Sequence, residues 1–483
     1  MDQINEAVLE KTVQRCRERN IIIPTFAQQK DPTTIPAAIR DRLENVGLWD
    51  VDPANLFRIT WKNEPIEHGG GFNEGNWIEF PPALTGVDAR IIGLVGKWFP
   101  TGAHKVGAGF GCLVPRLVSG QFDPTTQKAV WPSTGNYCRG GAFDCALLAC
   151  TAVAILPEEM SRERFEWLES IGAEVIATPG CESNVKEVYD KCWEIRRTRP
   201  DCVIFNQFDE FGNAIWHYHL TGGVIDELYE RLAGPRDRLA AYVSATGSAG
   251  TIAAGDFLRT KHPHLRVVAT EALQCPTLLQ CGFGSHRIEG IGDKHVPWIH
   301  NVRNTDMVVA VDDERCMQLL RLFNEPAGCE FFDQEGIPGA LAARLPLLGI
   351  SSICNLVAAI KAAKYYEMGS RDVIVTALTD SADLYASRVG ELRDAQGPYT
   401  PADAARCFAR HMEGIGPDHL RELNYADRKT LHNFKYFTWV EQQQRDVEEL
   451  RRLWDPDFWE ETWSQTEEWD RRIEDFNQRV GLL

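Results

Sequence analysis

Lys105 stands in the stretch Trp98-Phe99-Pro100-Thr101-Gly102-Ala103-His104-Lys105-Val106-Gly107-Ala108-Gly109, soon after the apolar run Ile91-Ile92-Gly93-Leu94-Val95. This text predicts a buried strand, a tight turn of Pro, Gly and small residues, and a helix able to pack closely on its neighbours. A lysine at such a turn is desolvated by the strand behind it and lies near the positive end of a helix dipole. Both effects lower its pKa and favour the neutral, nucleophilic amine. That amine can form a Schiff base with a carbonyl compound. Taken alone, the stretch reads more simply as one more surface lysine. Three further stretches change that.

Pro132-Ser133-Thr134-Gly135-Asn136 follows the strand-like Ala129-Val130-Trp131. Its hydroxyls, side-chain amide and glycine-freed backbone amides suit a carboxylate, although an ordinary polar turn has the same composition. Thr246-Gly247-Ser248-Ala249-Gly250-Thr251 lies between the strand Ala240–Val243 and a helix starting near Ile252. Small residues there let consecutive N–H groups converge on a phosphate. The glycines are not spaced G-x-G-x-x-G, the loop does not open the first βαβ unit, and no Gly-Lys-Ser/Thr follows. A dinucleotide fingerprint and a Walker-type loop are therefore both poor matches. Leu378-Thr379-Asp380-Ser381 ends the strand Val373–Ala377, where open α/β sheets bind ligands, or else Ser381 simply caps the next helix.

A Schiff-base lysine, a carboxylate cradle, a phosphate cup and a hydroxyl partner are together what pyridoxal phosphate bound to an amino acid requires. In the same order come Asn206-Gln207-Phe208, Glu289-Gly290-Ile291-Gly292 before Val296-Pro297, Gly349-Ile350-Ser351-Ser352 and Thr379–Tyr385. On these motifs, over roughly residues 90–390, the chain resembles the cysteine synthase/cystathionine β-synthase group of pyridoxal-phosphate enzymes. That group has the tryptophan synthase β-like fold, fold type II. The resemblance implies that Lys105 is the Schiff-base lysine and that Asn136 hydrogen-bonds the phenolic oxygen of the cofactor. It implies that Gly247, Ser248, Ala249, Gly250 and Thr251 hold the phosphate and that Ser381 faces the ring nitrogen. Ser133, Thr134, Gly135 and Gln207 would bind the substrate α-carboxylate, with Gly290 at the active-site mouth. The implied reaction is β-replacement on a serine-, O-acetylserine- or cysteine-like amino acid through an aminoacrylate, with a nucleophilic co-substrate. β-Elimination or dehydration on the same scaffold is the alternative, and a catalytically silent binding paralogue a remoter one. A homodimer is also implied.

The chain departs from that pattern in places. The Gly102-Ala103-His104-Lys105 wording is nearer to the tryptophan synthase β subunit, and Val106 replaces a polar residue. Tyr137, Cys138 and Arg139 follow Asn136 where small residues are usual. Arg139 is either a surface or structural residue or a contact for a second acidic group on the substrate. Ala249 replaces a glycine, which requires negative φ at that position. Residues before 90 and after 393 match no regulatory or haem-binding extension.

The elements that must position these residues read as an α/β chain. Several strand-like runs, among them Ala152–Leu156, Val267–Ala269 and Met307–Val311, are continuous and β-branched, as in parallel strands buried on both faces. The expected fold has two domains with open, mostly parallel sheets flanked by helices, plus a helical C-terminal extension. Residues 1–88 should form an N-terminal helix and irregular arm, 89–212 a smaller domain with the lysine and the carboxylate loop, 213–393 a larger cofactor-phosphate domain, and 394–483 the extension. After Asp455-Pro456 an aromatic stripe (Trp459, Trp463, Ile473, Phe476, Val480) predicts a packed helix, with a substrate lid as the lesser possibility. A net charge of −18 over 483 residues argues against a nucleic-acid surface. No apolar run is long enough to span a membrane, and the start of the chain carries no signal-peptide pattern. The 14 cysteines form no CxxC pair, so a reducing cytoplasm is the expected setting and most thiols should be small buried hydrophobes. His217 and His219, two apart, should face different sides of a helix, and no metal-ligand spacing appears.

Overall fold

The computed structural model describes residues 4–65, 70–133, 135–158, 160, 162–180, 185–292 and 294–482. The chain folds into two compact units. One comprises residues 1–74, 98–223 and 451–483, the other residues 75–97 and 224–450. Each contains one sheet.

The sheet of the first unit has strands β3 (Lys128–Pro132), β4 (Thr151–Pro157), β5 (Glu174–Thr178) and β6 (Cys202–Ile204). They run in the order β5-β4-β3-β6, all parallel. The second unit holds β1 (Trp77–Phe80), β2 (Arg90–Val95), β7 (Arg238–Ala245), β8 (Arg266–Ala272), β9 (Met307–Val311), β10 (Asp372–Leu378) and β11 (Leu420–Glu422). Their order is β1-β2-β10-β7-β8-β9-β11, parallel inside with antiparallel edges at β1 and β11. The expected α/β class with open parallel sheets is what forms. The continuous apolar runs are interior strands, and β9 and β10 are buried along their whole length. The two antiparallel edges are additions to the expectation. β11 pairs with β9 through Leu420–Val309, which brings a strand of the C-terminal stretch into the larger sheet. Residues 21–88, expected to be irregular, also form β1 and several short helices.

In the first unit the helix Lys105–Val118 is the central packing element. Its glycines face neighbours too close for a side chain. A Cβ on Gly107 would lie 2.4 Å from the Trp216 ring, and one on Gly111 2.4 Å from the carbonyl oxygen of Gly212. This is the close packing that the glycine-rich text predicts. Asp144, on the neighbouring helix Asn136–Leu147, is wholly buried against Gly109, and neither carboxylate oxygen has a hydrogen-bond partner. Burial pushes its pKa well above the usual carboxylate range. The folded state therefore keeps a proton that the unfolded chain releases above about pH 4, so Asp144 drains stability as pH rises from there. Asp144→Asn, which cannot ionise, should be more stable relative to wild type at pH 8 than at pH 4, a gap that urea denaturation at the two pH values measures.

The chain ends meet within this unit. The N-terminal helix Glu6–Glu18 buries Leu9, Val13 and Cys16, while Ile4 just before it is exposed. The last helix, Thr466–Val480, buries Ile473, Phe476 and Val480. Asn477 donates to the Ile23 carbonyl at 2.8 Å and accepts from the Ile23 N–H at 3.1 Å. The Asp470 carboxylate accepts from the Phe26 N–H at 2.6 Å and the Ala27 N–H at 3.1 Å. The aromatic stripe is thus packing, as its spacing predicts. Every described cysteine is free, most are buried, and no helix among the described residues is long and apolar enough to cross a membrane.

Candidate active site

In the first unit, Lys105 is the first residue of its helix and is buried. The turn before it is strained. Thr101 has φ 67°, unusual for a β-branched residue, and Gly102 follows with φ 70°. The Lys105 Nζ donates to Gln207 Oε1 at 3.3 Å, and Gln207 Nε2 donates to Ser133 Oγ, also at 3.3 Å. The Gly135 N–H donates to the same hydroxyl at 3.3 Å. Asn213 Nδ2 donates to the Gln207 carbonyl at 3.0 Å and holds that residue in place. One continuous chain of polar groups therefore joins the lysine to the loop after β3. Asn136 begins the helix that follows this loop, with its N-terminal dipole towards Gly135. Thr134 lies outside the described residues.

Arg139 is not a surface residue. It is buried one turn into that helix, with its guanidinium 5.2 Å from the Trp49 ring and 5.4 Å from the Trp167 ring. Arg164, also buried, places Nη1 3.2 Å from where a Cβ on Gly135 would sit. No local pattern points to Arg164, because its approach to Gly135 depends on how the helix Arg162–Ser170 packs.

His104 and His217, which the motifs do not group with Lys105, form a cluster beside it. Their rings lie 4.9 Å apart. His217 Nδ1 is 2.8 Å from Thr221 Oγ1, which also accepts from Trp61 Nε1 at 2.9 Å. Burial above all, then the nearby His104 and Lys105 charges, hold the His217 pKa well below the usual histidine value, so this ring is neutral. His219 points elsewhere, with Nε2 2.6 Å from the Trp463 carbonyl oxygen. The adjacent His104-Lys105 pair was the available signal for the cluster. The π-type turn His217–Thr221 that completes it had none.

In the second unit, the carboxyl ends of three adjacent parallel strands carry the other sequence motifs. The loop 246–251 leaves β7, residues 379–385 leave β10 and Gly96 leaves β2, on the sheet edge where open α/β folds bind ligands. Thr246 is pinned by its N–H and Oγ1, both donating to the Thr270 carbonyl at 2.8 and 3.0 Å. Tyr242 Oη donates to the Thr251 carbonyl at 2.9 Å. Among the described residues, the amides of Gly247, Ala249 and Gly250 donate to no acceptor. They precede the helix Ala253–Lys261, so three donors and a helix N-terminus share one loop. That donor set fits a phosphoryl group.

Ala249 has φ 61°, against the negative φ that its presence implies. The loop demands the left-handed conformation to turn successive amides inward, and alanine adopts it at a cost of about 1–2 kcal/mol. Ala249→Gly should relieve most of that strain, raising stability by about 0.5–1 kcal/mol after the greater freedom of glycine in the unfolded chain is counted. Chemical denaturation of the two proteins measures the difference.

Ser381 is buried and its hydroxyl caps no helix, so the capping alternative is not realised. The neighbouring Asp380 is held through its carbonyl and one carboxylate oxygen. Its carbonyl accepts from the Gly349 N–H at 3.0 Å and Ser352 Oγ at 3.2 Å, and its carboxylate from Tyr385 Oη at 2.6 Å. Ser351 Oγ lies 2.7 Å from Thr379 Oγ1, so the motifs at 349–352 and 379–385 form one cluster. Gly290, with φ 88°, has open space where a Cβ would be, and its carbonyl oxygen lies 3.1 Å from the Cβ position of Gly247.

A buried lysine at a helix start in the first unit, and a cup of free amides at a strand end in the second, are features that suit a phosphorylated carbonyl cofactor on an α/β fold. The family described as "Pyridoxal-phosphate dependent enzyme" matches residues 99–380, and the chain belongs to it. The cofactor is pyridoxal phosphate. A cysteine synthase of Staphylococcus aureus is 30% identical over 259 residues, 53% of this chain and 75% of the relative. The cystathionine beta-synthase of Saccharomyces cerevisiae is 25% identical over 316 residues, 64% of this chain and 59% of the relative. Among solved structures, a cysteine synthase of Entamoeba histolytica is similar in fold, with a TM-score of 0.56 and 20% identity, covering 70% of this chain and 93% of that one.

Proposed function

We propose that the protein catalyses β-replacement on a serine-, O-acetylserine- or cysteine-like amino acid, exchanging the β-substituent for a thiol, sulfide or amine. The observation that carries this is the Lys105–Gln207–Ser133 chain, with both links at 3.3 Å. It holds an amine and carboxylate-binding groups within the span of one small amino acid. The names of the relatives, cysteine synthase and cystathionine beta-synthase, support the same class.

In this proposal the amides of residues 247–251 take the cofactor phosphate, Asn136 its phenolic oxygen and Ser381 its ring nitrogen. Bound pyridoxal phosphate supplies the electron sink that acidifies the Cα–H of an amino acid. Ser133, Thr134, Gly135 and Gln207 orient the α-carboxylate, and Gly290 leaves room for the substrate beside the cup. Lys105 Nζ removes the Cα proton and delivers one to the departing β-group as the Cβ bond to it breaks. The incoming nucleophile then bonds to Cβ. A serine hydroxyl at the ring nitrogen, unlike a carboxylate, does not enforce its protonation, which favours loss of the β-group over other outcomes. Arg139 and Arg164, both buried near Gly135, are suited to a second acidic group on the substrate.

The test is to supply O-acetylserine, serine and cysteine, each with and without sulfide or a thiol, and to quantify amino-acid product and keto acid. Replacement predicts a new amino acid whose yield follows the nucleophile. Keto acid released at a rate indifferent to the nucleophile would refute replacement in favour of β-elimination.

A further inference from the structure

The C-terminal stretch contains a fully buried lysine that no step above uses. The helix Tyr425–Lys435 starts at a reciprocal cap, in which the Asp427 N–H donates to Asn424 Oδ1 and the Asn424 N–H to the Asp427 carboxylate, both at 3.0 Å. It continues into the wide turns Tyr436–Gln442. Lys435 and Trp439, four residues apart, share one buried face of this segment. Lys435 Nζ donates to the carbonyls of Trp298 at 2.8 Å and His300 at 2.7 Å, and Trp439 Nε1 donates to the Val296 carbonyl at 2.8 Å. Two side chains thus take every second carbonyl along residues 296–300. The Arg445 guanidinium, 5.5 Å from the Trp298 ring, covers the same segment.

This segment is tied upstream to the loop read as the phosphate cup and downstream to the helix that follows that loop. Upstream, the Gly292 N–H donates to the Thr246 carbonyl at 3.2 Å. Downstream, Asn301 Nδ2 and Asn304 Nδ2 donate to the two Asp256 oxygens at 2.7 and 2.5 Å. Asp256 lies on the helix that the cup opens into.

Lys435 has no carboxylate partner among the described residues, and burial pulls its pKa down to about 7. The titratable neighbours His300 and His432 are themselves held neutral, near about 3, first by burial and then by the Lys435 charge. A lysine kept without a counter-ion is a costly way to fill space, since an apolar side chain of the same length would do so without desolvating an amine. What the lysine adds is a donor for the Trp298 carbonyl, which takes no other donor among the described residues, and a second donor for the His300 carbonyl, which also accepts from the Val302 N–H at 2.9 Å.

We propose that Lys435 and Trp439 are positioning residues of the cofactor site, clipping residues 296–300 so that the loop 290–304 holds the phosphate cup in its binding geometry. The proposal rests on reading residues 247–251 as that cup. It assigns the C-terminal stretch 425–445 the role of a strap on the active-site loop.

The test compares Lys435→Met, Trp439→Phe and the surface control Phe437→Ser (Phe437 is 60% exposed) with wild type. Amide hydrogen exchange over residues 286–304 is measured in the apoprotein, pyridoxal-phosphate affinity by fluorescence titration, and KM and kcat in the holoenzyme. The expected result for Lys435→Met is exchange at least tenfold faster across this loop, cofactor affinity at least tenfold weaker and a raised KM, with exchange in the four-stranded sheet of the other unit unchanged. Phe437→Ser should match wild type. If Lys435→Met does not fold, Trp439→Phe, which loses one donor and little volume, decides by the same measurements at a smaller expected effect. A folded variant with wild-type exchange and affinity overturns the proposal, and so does faster loop exchange with unchanged affinity. The cup itself is tested separately with inorganic phosphate, which should slow exchange of the 247–251 amides in the wild-type apoprotein. No slowing there counts against the cup, while the exchange of residues 286–304 still reports on the clip.

Discussion

Replacing Lys105 with alanine should leave a folded protein that has lost the visible absorbance of a lysine-linked cofactor and turns over at least about a thousandfold more slowly. In the proposed mechanism the magnitude follows from two functions ending at once. A positioned acid–base group contributes about 10²- to 10⁴-fold, and the covalent link that fixes the cofactor disappears with the same amine. The fold should survive, because the 3.3 Å contact from Nζ to Gln207 is a single long hydrogen bond and alanine is a better helix former than lysine at the start of 105–118. Absorbance spectra, cofactor content and the amino-acid product assay measure the change, and a small primary amine added to the variant should restore part of the turnover. A Lys105→Ala protein with unaltered spectrum and rate would remove the lysine from the mechanism.

Gly107→Ala should damage both the stability and the turnover of the protein. Its Cβ would lie 2.4, 2.4 and 2.6 Å from three atoms of the Trp216 ring, and that ring is fully buried. It cannot rotate away freely, since Trp216 Nε1 donates to Gln29 Oε1 at 2.9 Å and the ring packs 5.9 Å from Phe99. The helix must then shift, at a cost of about 1–3 kcal/mol or more. Lys105, the proposed catalytic amine, lies two residues away on the same helix, and a displacement approaching 1 Å at such a group costs on the order of 100-fold in rate. Activity should therefore fall further than stability alone explains. Urea denaturation and kcat of Gly107→Ala, Trp216→Leu and the double variant make the check. The smaller leucine should relieve the clash, so the double variant should lose less than the sum of the single effects. Strict additivity would show that the contact with Trp216 is not the cause.

Much of the scaffold was legible in the chain text, for reasons that lie within a few residues. β-Branched apolar runs read as strands buried on both faces, and those at 307–311 and 372–378 are interior strands of the larger sheet. The Pro-Thr-Gly turn and the small residues after it read as a helix start at Lys105, where it begins. The edge strand Trp77–Phe80 and the short Leu420–Glu422 were not legible, because pairing to β2 and β9 makes them strands and their own composition does not. At the site, Lys105, Gln207, Ser133 and Gly135 were all named from sequence and are joined in the structure by hydrogen bonds. Local sequence leaves Arg139 between a surface or structural residue and a substrate contact, because its burial between Trp49 and Trp167 is not encoded by its neighbours along the chain.

Residue type and spacing by themselves determined the α/β class, the lysine at a helix start and the glycine-rich loop after β7, because each depends on local backbone preferences and hydrophobic period. Tertiary structure alone decided that Ala249 must take φ 61°, that a neutral His217 lies 4.9 Å from His104, and that Lys435 reaches the carbonyls of residues 298 and 300. These last features depend on contacts between residues more than a hundred positions apart, or on a loop geometry that its neighbours impose. No local pattern encodes them, since the free energy that selects them arises only once distant elements have packed together.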